Sequence, residues 1–371
     1  MTAIVLFFFS AAFLVYVLSG YPLLLAVRAR LFSRPIRKVE EWKTVSVVLA
    51  VKNGEKFLRA KLESILALDY PRELLQVIVI SDGSTDGTDE IGAELADCFV
   101  RVPPGGKALA LNAGIAKATG EILFFTDVRQ PLAADSLRQL VSCFADPRVG
   151  AASGELIILD GKTQGEASIG LYWRYEKWIR NRLSQIDSVM GATGCIYAMR
   201  RELAVALPAG TLVDDMYLPL AAFFRGYRVI FDPTAKAFDY PTALDAEFRR
   251  KVRTQAGVYQ IIGAYPQLLG LENRMWIDFV SHKLGRLLLP YACLLMAGSS
   301  FWLPQPWRTL ALAAQGLFGM LALADGWLPE GSRLKRLTSP LRTFVVLMAA
   351  VFCAGSVLFL PHDYFWKETK R

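Results

Sequence analysis

Apolar residues gather in long uncharged runs at the two ends of the chain, and in short runs broken by polar loops between them. Ala3 to Val27 is almost wholly apolar, and the first basic side chain is Arg28. About 25 such residues suffice to cross a bilayer core of about 30 Å as a helix. A secretory leader would carry an early positive charge and a shorter core, so this run predicts a retained span. Towards the other end, Leu287 to Leu303, Thr309 to Ala324 and Phe344 to Leu360 are each uncharged. Each is near the shortest length that spans, so each reads either as a crossing or as a buried or re-entrant helix. The expectation is one N-terminal and two to three C-terminal spans.

The middle of the chain follows a different rhythm. Val45 to Val51 (VSVVLAV) is a short β-branched run, the signature of a strand buried on both faces. Asn53-Gly54 breaks it, and Phe57, Leu58, Leu62, Ile65 and Leu66 then recur at helical spacing. Leu75 to Ile80 is a second strand and Glu121 to Thr126 a third, the latter preceded by a helix over Ala108 to Ala118. Strands alternating with helices predict an α/β, doubly wound, mostly parallel sheet. Such sheets bind ligands at the carboxyl ends of their strands. Asn53, Asp82 and Asp127 each fall at such an end. Lys107 opens a helix after Gly105-Gly106, where backbone N–H groups and an ammonium can meet a phosphate. A lone Asp after a strand is usually a turn former or helix cap; three in register with a lysine point to one ligand crevice.

Composition sharpens this picture. Hydrophobic residues make up 53% of the chain, above the roughly 45–50% of soluble domains, which argues against a purely soluble globule and excludes disorder. The five cysteines are scattered without a CxxC pair, and the two histidines are His282 and His362. Neither a zinc site, a disulfide scaffold nor a histidine-based centre is indicated. The net charge of +8 is accounted for by topology and anionic lipid rather than nucleic acid, since no RNA- or DNA-reading motif accompanies it. Arg28, Arg30, Arg34, Arg37 and Lys38 follow the first run, and Arg333, Lys335, Arg336 and Arg342 precede the last. Basic flanks stay cytoplasmic. Four crossings then place residues 40 to 280 inside and both termini outside, although Lys367, Lys370 and Arg371 near the C-terminus pull the other way.

VIVISDGSTDGT (77–88), GKALALNAG (106–114), FTDV (125–128), GATGCIYAMRR (191–201) and DDMYLPLAAFFRG (214–226) together resemble family 2 glycosyltransferases of the GT-A fold. The likeness covers about residues 44 to 255, and the flanking apolar runs resemble the membrane-embedded polysaccharide synthase branch. The resemblance implies a transferase that takes a sugar from a nucleotide-sugar donor such as a UDP-sugar. Asp82 would contact the uracil or ribose. Asp127, the first carboxylate of the DxD motif, would hold nucleotide and a divalent Mg2+ or Mn2+. Asp215, the last carboxylate of the TED motif, would be the catalytic base, with Asn53 and Lys107 on the donor side. Arg250 and Arg253 fall where synthases carry QxxRW, which contacts the diphosphate. Two positions depart from the pattern: Arg129 stands at the second DxD carboxylate and Thr254 at the tryptophan of QxxRW. Either the metal rests on Asp127 with waters and phosphates, or Arg129 itself neutralises phosphate charge.

The chemistry asks for the same side chains independently of any name. An acceptor hydroxyl must lose a proton, which Asp215 can take. The departing diphosphate gains charge, which a metal at Asp127 with Arg250 and Arg253 can stabilise. One base and one displacement imply inversion at the anomeric carbon. Asp214 reads as N-cap of the helix from Met216 to Arg225 or as an acceptor contact. Gly191 and Gly194 give close backbone approach to an acceptor or make a turn. Tyr172, Trp173, Tyr175 and Trp178 form an aromatic cluster that packs in the core, stacks on sugar or lies at the membrane interface.

The expected organisation is an N-terminal span (1–28), a cytoplasmic GT-A domain (40–255), amphipathic interface helices (256–283) and C-terminal spans (284–362). The expected setting is the inner (plasma) membrane. The acceptor is a growing polysaccharide or a polyprenyl-linked molecule, with membrane lipids and membrane or export subunits as partners. Competing readings are a transferase loading one sugar on polyprenyl phosphate, and an inactive membrane scaffold or nucleotide sensor.

Overall fold

A computed structural model describes residues 1–159, 164–240, 244–361 and 364–365 of the chain. His362, Lys367, Lys370 and Arg371 lie outside the described residues. The chain divides into two compact units. One comprises Leu31–Leu159 and Arg180–Tyr240, the other Met1–Arg30, Asp160–Ile179 and Pro241–Arg371.

The first unit is built on a seven-stranded sheet. Its strands are β1 (Val45–Val51), β2 (Leu75–Asp82), β3 (Cys98–Val102), β4 (Ile122–Thr126), β5 (Val149–Ile158), β6 (Ile196–Arg200) and β7 (Arg228–Asp239). They lie in the order β3-β2-β1-β4-β6-β5-β7. Pairing is parallel between β1 and β2, β2 and β3, β1 and β4, and β5 and β7; only β6 runs against its two neighbours. The β-branched runs are central because the sheet is covered on both faces: Val45, Val47, Leu49, Val77, Val79, Ile122 and Phe124 share one core with Leu58, Leu62 and Ile65 of the helix Glu55–Leu66. Burying a side chain of this size contributes about 1.5–3 kcal/mol, which explains why short runs suffice to define strands.

Register carries the functional consequence. Val51 pairs with Ser81, Asp82 with Val102, and Val48 with Phe125. The ends of β1, β2 and β4 therefore open on one edge, as alternation predicts. Because β6 is antiparallel, it begins where β4 ends, Ile196 opposite Thr126. This brings Gly191–Gly194 to the same edge.

The second unit is helical. Among the described residues three helices are long and apolar enough to cross a membrane: Thr2–Leu31, Trp307–Trp327 and Lys335–Leu358. The apolar run expected over Leu287 to Leu303 forms the helix Gly285–Ser300, which is not among those three; Leu287, Leu289 and Ala292 are buried there. Thr2–Val15 packs on it, and Lys335–Ala354 packs on the helix Leu244–Ala264. Val5, Phe8, Phe9, Leu317, Met320 and Leu323 remain exposed, as side chains facing lipid would be.

Buried charge ties this unit together. Asp278 accepts from Arg28 at 2.6 Å and from the Tyr21 hydroxyl at 3.1 Å. Glu176 pairs with Arg286 and lies 3.5 Å from His282. Burial, only partly opposed by Glu176, pushes His282 down to about 4, so the imidazole is neutral. The helix Leu244–Ala264 runs without a break through position 255.

Candidate active site

Each strand end delivers its polar residue by a local device. Asn53 follows β1 in the left-handed region, φ 51°, which asparagine tolerates better than other side chains. Its Oδ1 accepts from the Thr85 N–H at 2.9 Å, and its own N–H donates to the Ser84 hydroxyl at 3.1 Å. Asn53 thus welds the loop after β1 to the loop after β2. Asp82 ends β2 almost fully buried. Its carboxylate accepts from the N–H groups of Gly105 at 2.7 Å and Gly106 at 3.0 Å, with Lys52 Nζ at 3.4 Å. The two glycine N–H groups read from sequence as a phosphate cradle are therefore bonded to Asp82, which organises the loop ahead of Lys107. Gly83 and Gly106 have positive φ; a Cβ on Gly83 would strike Pro104 at 2.8 Å.

Lys107 begins the helix Lys107–Lys117. Its Nζ lies 3.1 Å from Asp127 Oδ1 and 3.2 Å from Asp214 Oδ1. Burial opposes this charge most strongly, but Asp127, Asp214 and Asp215 together outweigh it and hold the ammonium above the ordinary lysine range. The Asp127 side chain is 39% exposed while that of Asp214 is only 7% exposed. The centre thus has one carboxylate facing outward, one facing inward and an ammonium between them.

Asp214 and Asp215 open the helix Asp214–Phe224, and its N-cap is Val213 without a side-chain capping bond. The sequence-based reading of Asp214 as N-cap of a helix beginning at Met216 is corrected on both counts: pairing with Lys107 takes its carboxylate. Asp214 and Asp215 occupy a helical turn rather than an extended segment. Gly191, at φ +122°, packs against Met216, and a Cβ on Gly194 would lie 3.1 Å from Asp215 Oδ2. The Ala192 N–H donates to the Asp215 carbonyl at 2.6 Å. These glycines bring backbone close to Asp215 itself.

Several contacts around the site are not legible in the sequence. Arg180 donates to Thr193 Oγ1 at 2.6 Å and Ser153 Oγ at 2.8 Å, bracing the segment beside Asp215. Arg129 donates to Asp239 Oδ2 at 2.7 Å, and Gln130 Nε2 reaches the same oxygen at 2.9 Å. Lys61, buried under this loop, donates to the Gln130 carbonyl at 2.5 Å; burial pushes its ammonium down to about 8 against the pull of Cys195 and Asp127. The Tyr197 hydroxyl is buried without a hydrogen-bond partner among the described residues. Burial first, then Asp214, Asp215 and Asp127, hold it well above the usual tyrosine range. An alternation pattern marks Tyr197 as a strand residue and nothing more.

Arg250 and Arg253 belong to the helical unit, on Leu244–Ala264. Arg250 pairs with Glu247 and lies over the Trp173 ring at 5.2 Å. Lys251 Nζ sits 2.8 Å from the Tyr172 hydroxyl. Tyr172 and Trp173 are thus cation-bearing aromatics, each half-buried. Among the described residues no group of three or more His, Cys, Asp and Glu side chains could hold a metal ion. Asp127, one outward carboxylate, fits a hard divalent ion that brings phosphate ligands with it, since such ions use about one or two carboxylates plus phosphates and water.

Comparison with known proteins places this geometry. Residues 46–207 match the family described as Glycosyl transferase family 2. The chain is 27% identical over 272 residues to the beta-monoglucosyldiacylglycerol synthase of Nostoc sp., covering 67% of this chain and 57% of that one. It is 24% identical over 247 residues to the poly-beta-1,6-N-acetyl-D-glucosamine synthase of Staphylococcus aureus, covering 64% and 60%. The chain spans about three-fifths of the length of these curated relatives. Among solved structures, the mannosyltransferase PcManGT of Pyrobaculum calidifontis, in complex with GDP-Man and Mn2+, superimposes with a TM-score of 0.75 at 25% identity, over 95% of this chain and 99% of that one.

Proposed function

Residues 46–207 form a glycosyl transferase family 2 domain of GT-A fold, and we propose that the whole chain is an inverting membrane glycosyltransferase that moves a sugar from a nucleoside-diphosphate sugar to a lipid-linked or polymeric acceptor. The observation that carries this reading is the convergence of Lys107, Asp127 and Asp214, from three distant segments, on one sheet edge with Asp215 beside them.

Asp215 accepts the proton of the attacking hydroxyl, and the glycine at 194 leaves its carboxylate room to do so. Lys107 supplies positive charge where the diphosphate departs. Asp127 would hold a divalent Mn2+ or Mg2+, which, when bound with the donor, neutralises the leaving phosphates. Asp82 sets the Gly105-Gly106 turn that aims Lys107. Arg250 and Arg253 are assigned to the donor diphosphate through their place in the sequence motif, and Asp214, Gly191 and Gly194 to the acceptor side. The bound GDP-Man of the Pyrobaculum structure sets a guanosine donor beside the UDP-sugar expected from the motifs. Organisation follows the sequence reading: one N-terminal span, a cytoplasmic catalytic domain over about residues 40–255, interface helices and C-terminal spans in the plasma membrane.

A second reading within the same chemistry is transfer of one sugar to a lipid without elongation. Thr254 in place of the motif tryptophan favours it, as does the lipid product named for the Nostoc relative. The test is the detergent-purified chain incubated with UDP- and GDP-sugars and membrane lipid extract, with and without Mn2+ or Mg2+. Release of nucleoside diphosphate with label in a single lipid-linked sugar supports the second reading; label in polymer supports elongation. Failure of every donor to bind or turn over would sink both.

A further inference from the structure

We propose that Lys107 is the resident cation of this pocket, occupying Asp127 until the donor's diphosphate draws it away, so that a divalent ion binds only together with the nucleotide. The inference rests on the reading of Asp127 as the metal- and donor-binding carboxylate.

Three observations lead to it. The Lys107 ammonium sits 3.1 Å from Asp127 Oδ1 and 3.2 Å from Asp214 Oδ1, in the space between an outward carboxylate and its inward neighbour. The second carboxylate of the usual pair is Arg129, whose guanidinium is committed to Asp239 at 2.7 Å, and Gln130 shares that oxygen. Asp127 and Asp239 thus each already face a cation of the chain. No described group of three metal-ligating side chains stands nearby to offset that competition. A divalent ion approaching Asp127 alone meets an ammonium a few ångströms away, and repulsion between them is large in a partly desolvated site.

A diphosphate reverses the balance. It contributes oxygens to the metal and gives Lys107 new anionic partners, and a flexible four-carbon stem with three donors can swing between them. Lys107 would then exchange a carboxylate for a phosphate while remaining on Asp214.

The test measures free Mn2+ by its electron paramagnetic resonance signal against the full chain in detergent, alone and with GDP or with UDP. In the parent chain Mn2+ alone should bind weakly, and the matching nucleotide should tighten it. Lys107→Met should bind Mn2+ alone at least about tenfold more tightly and lose most of the nucleotide dependence. Unchanged or weaker Mn2+ binding by that variant overturns the inference, as does tight nucleotide-independent binding by the parent. If Lys107→Met does not fold, Lys107→Gln and the parent measurement decide the same question. Asp127→Asn separates the two levels: if it keeps Mn2+ in the presence of nucleotide, the assignment of Asp127 is wrong. If it loses Mn2+ while Lys107→Met shows no gain, only the exchange by Lys107 is wrong.

Discussion

Asp215 and Gly194 face each other across a gap slightly too narrow for a methyl group. A general base contributes about a hundredfold to ten-thousandfold. Asp215→Asn should therefore lower transfer at least about a hundredfold while nucleotide binding, followed by calorimetry, stays within a few-fold of the parent. Undiminished turnover would move the base elsewhere. Gly194→Ala tests the same spot by space. The added Cβ meets Asp215 Oδ2 at 3.1 Å, closer than a comfortable contact, so the carboxylate must turn. Turnover should fall about tenfold or more with little change in apparent melting temperature, because the clash is with one side-chain end and not with the backbone. A large fall in melting temperature would instead mark Gly194 as structural.

At the scale of elements, loops are held by carboxylates that collect backbone donors. Asp82 does so for Gly105 and Gly106. Asp146 does so ahead of β5, accepting from the Arg148 N–H and Nε at 3.0 Å, from Nη2 at 2.7 Å and from the Arg37 N–H at 3.2 Å. The Arg148 side chain, followed by these backbone bonds, holds Asp146 well below the ordinary carboxylate range despite its burial. A depressed folded pKa means the unfolded chain binds the proton more readily. The contribution of Asp146 is therefore complete above about pH 4 and lost as the pH falls below it. Asp146→Asn should cost about 1–2 kcal/mol at neutral pH and shrink the stability difference from the parent on acidification, read from apparent melting temperatures across pH 3 to 7.

For the whole molecule the apolar helices decide behaviour. Thr2–Leu31, Trp307–Trp327 and Lys335–Leu358 leave large apolar side chains uncovered, so the chain should stay with membranes after an alkaline carbonate wash and leave them only in detergent. Basic residues cluster after the first helix, at Arg34, Arg37 and Lys38, and again around Arg333 and Lys335. Both clusters share a side only if Gly285–Ser300 and Trp307–Trp327 together return the chain to the side it left. In inverted membrane vesicles, single cysteines placed at position 56 and at position 333 of a cysteine-free variant should both react with an impermeant thiol reagent. Labelling at only one of them would contradict the four-crossing arrangement.

Local pattern was enough for much of this protein. β1 was legible from end to end, β2 and β4 to within two residues, and the helix after Gly106 to within one, because a buried run of β-branched residues or a 3.6-residue rhythm has few alternatives. Three of the four apolar runs were likewise legible as helices long and apolar enough to cross a membrane, and Asp82, Asp127 and Lys107 as polar residues at strand or helix ends on one sheet edge. Three-dimensional packing decided the rest. That Asp214 pairs with Lys107 instead of capping its helix, that Arg129 is answered by Asp239 110 positions away, and that Arg180 braces the glycines beside Asp215 depend on strand order and on the reversed direction of β6. Short-range periodicity registers which way a side chain alternates but carries no information about which distant partner it meets; only closing the sheet puts those charges within hydrogen-bonding reach.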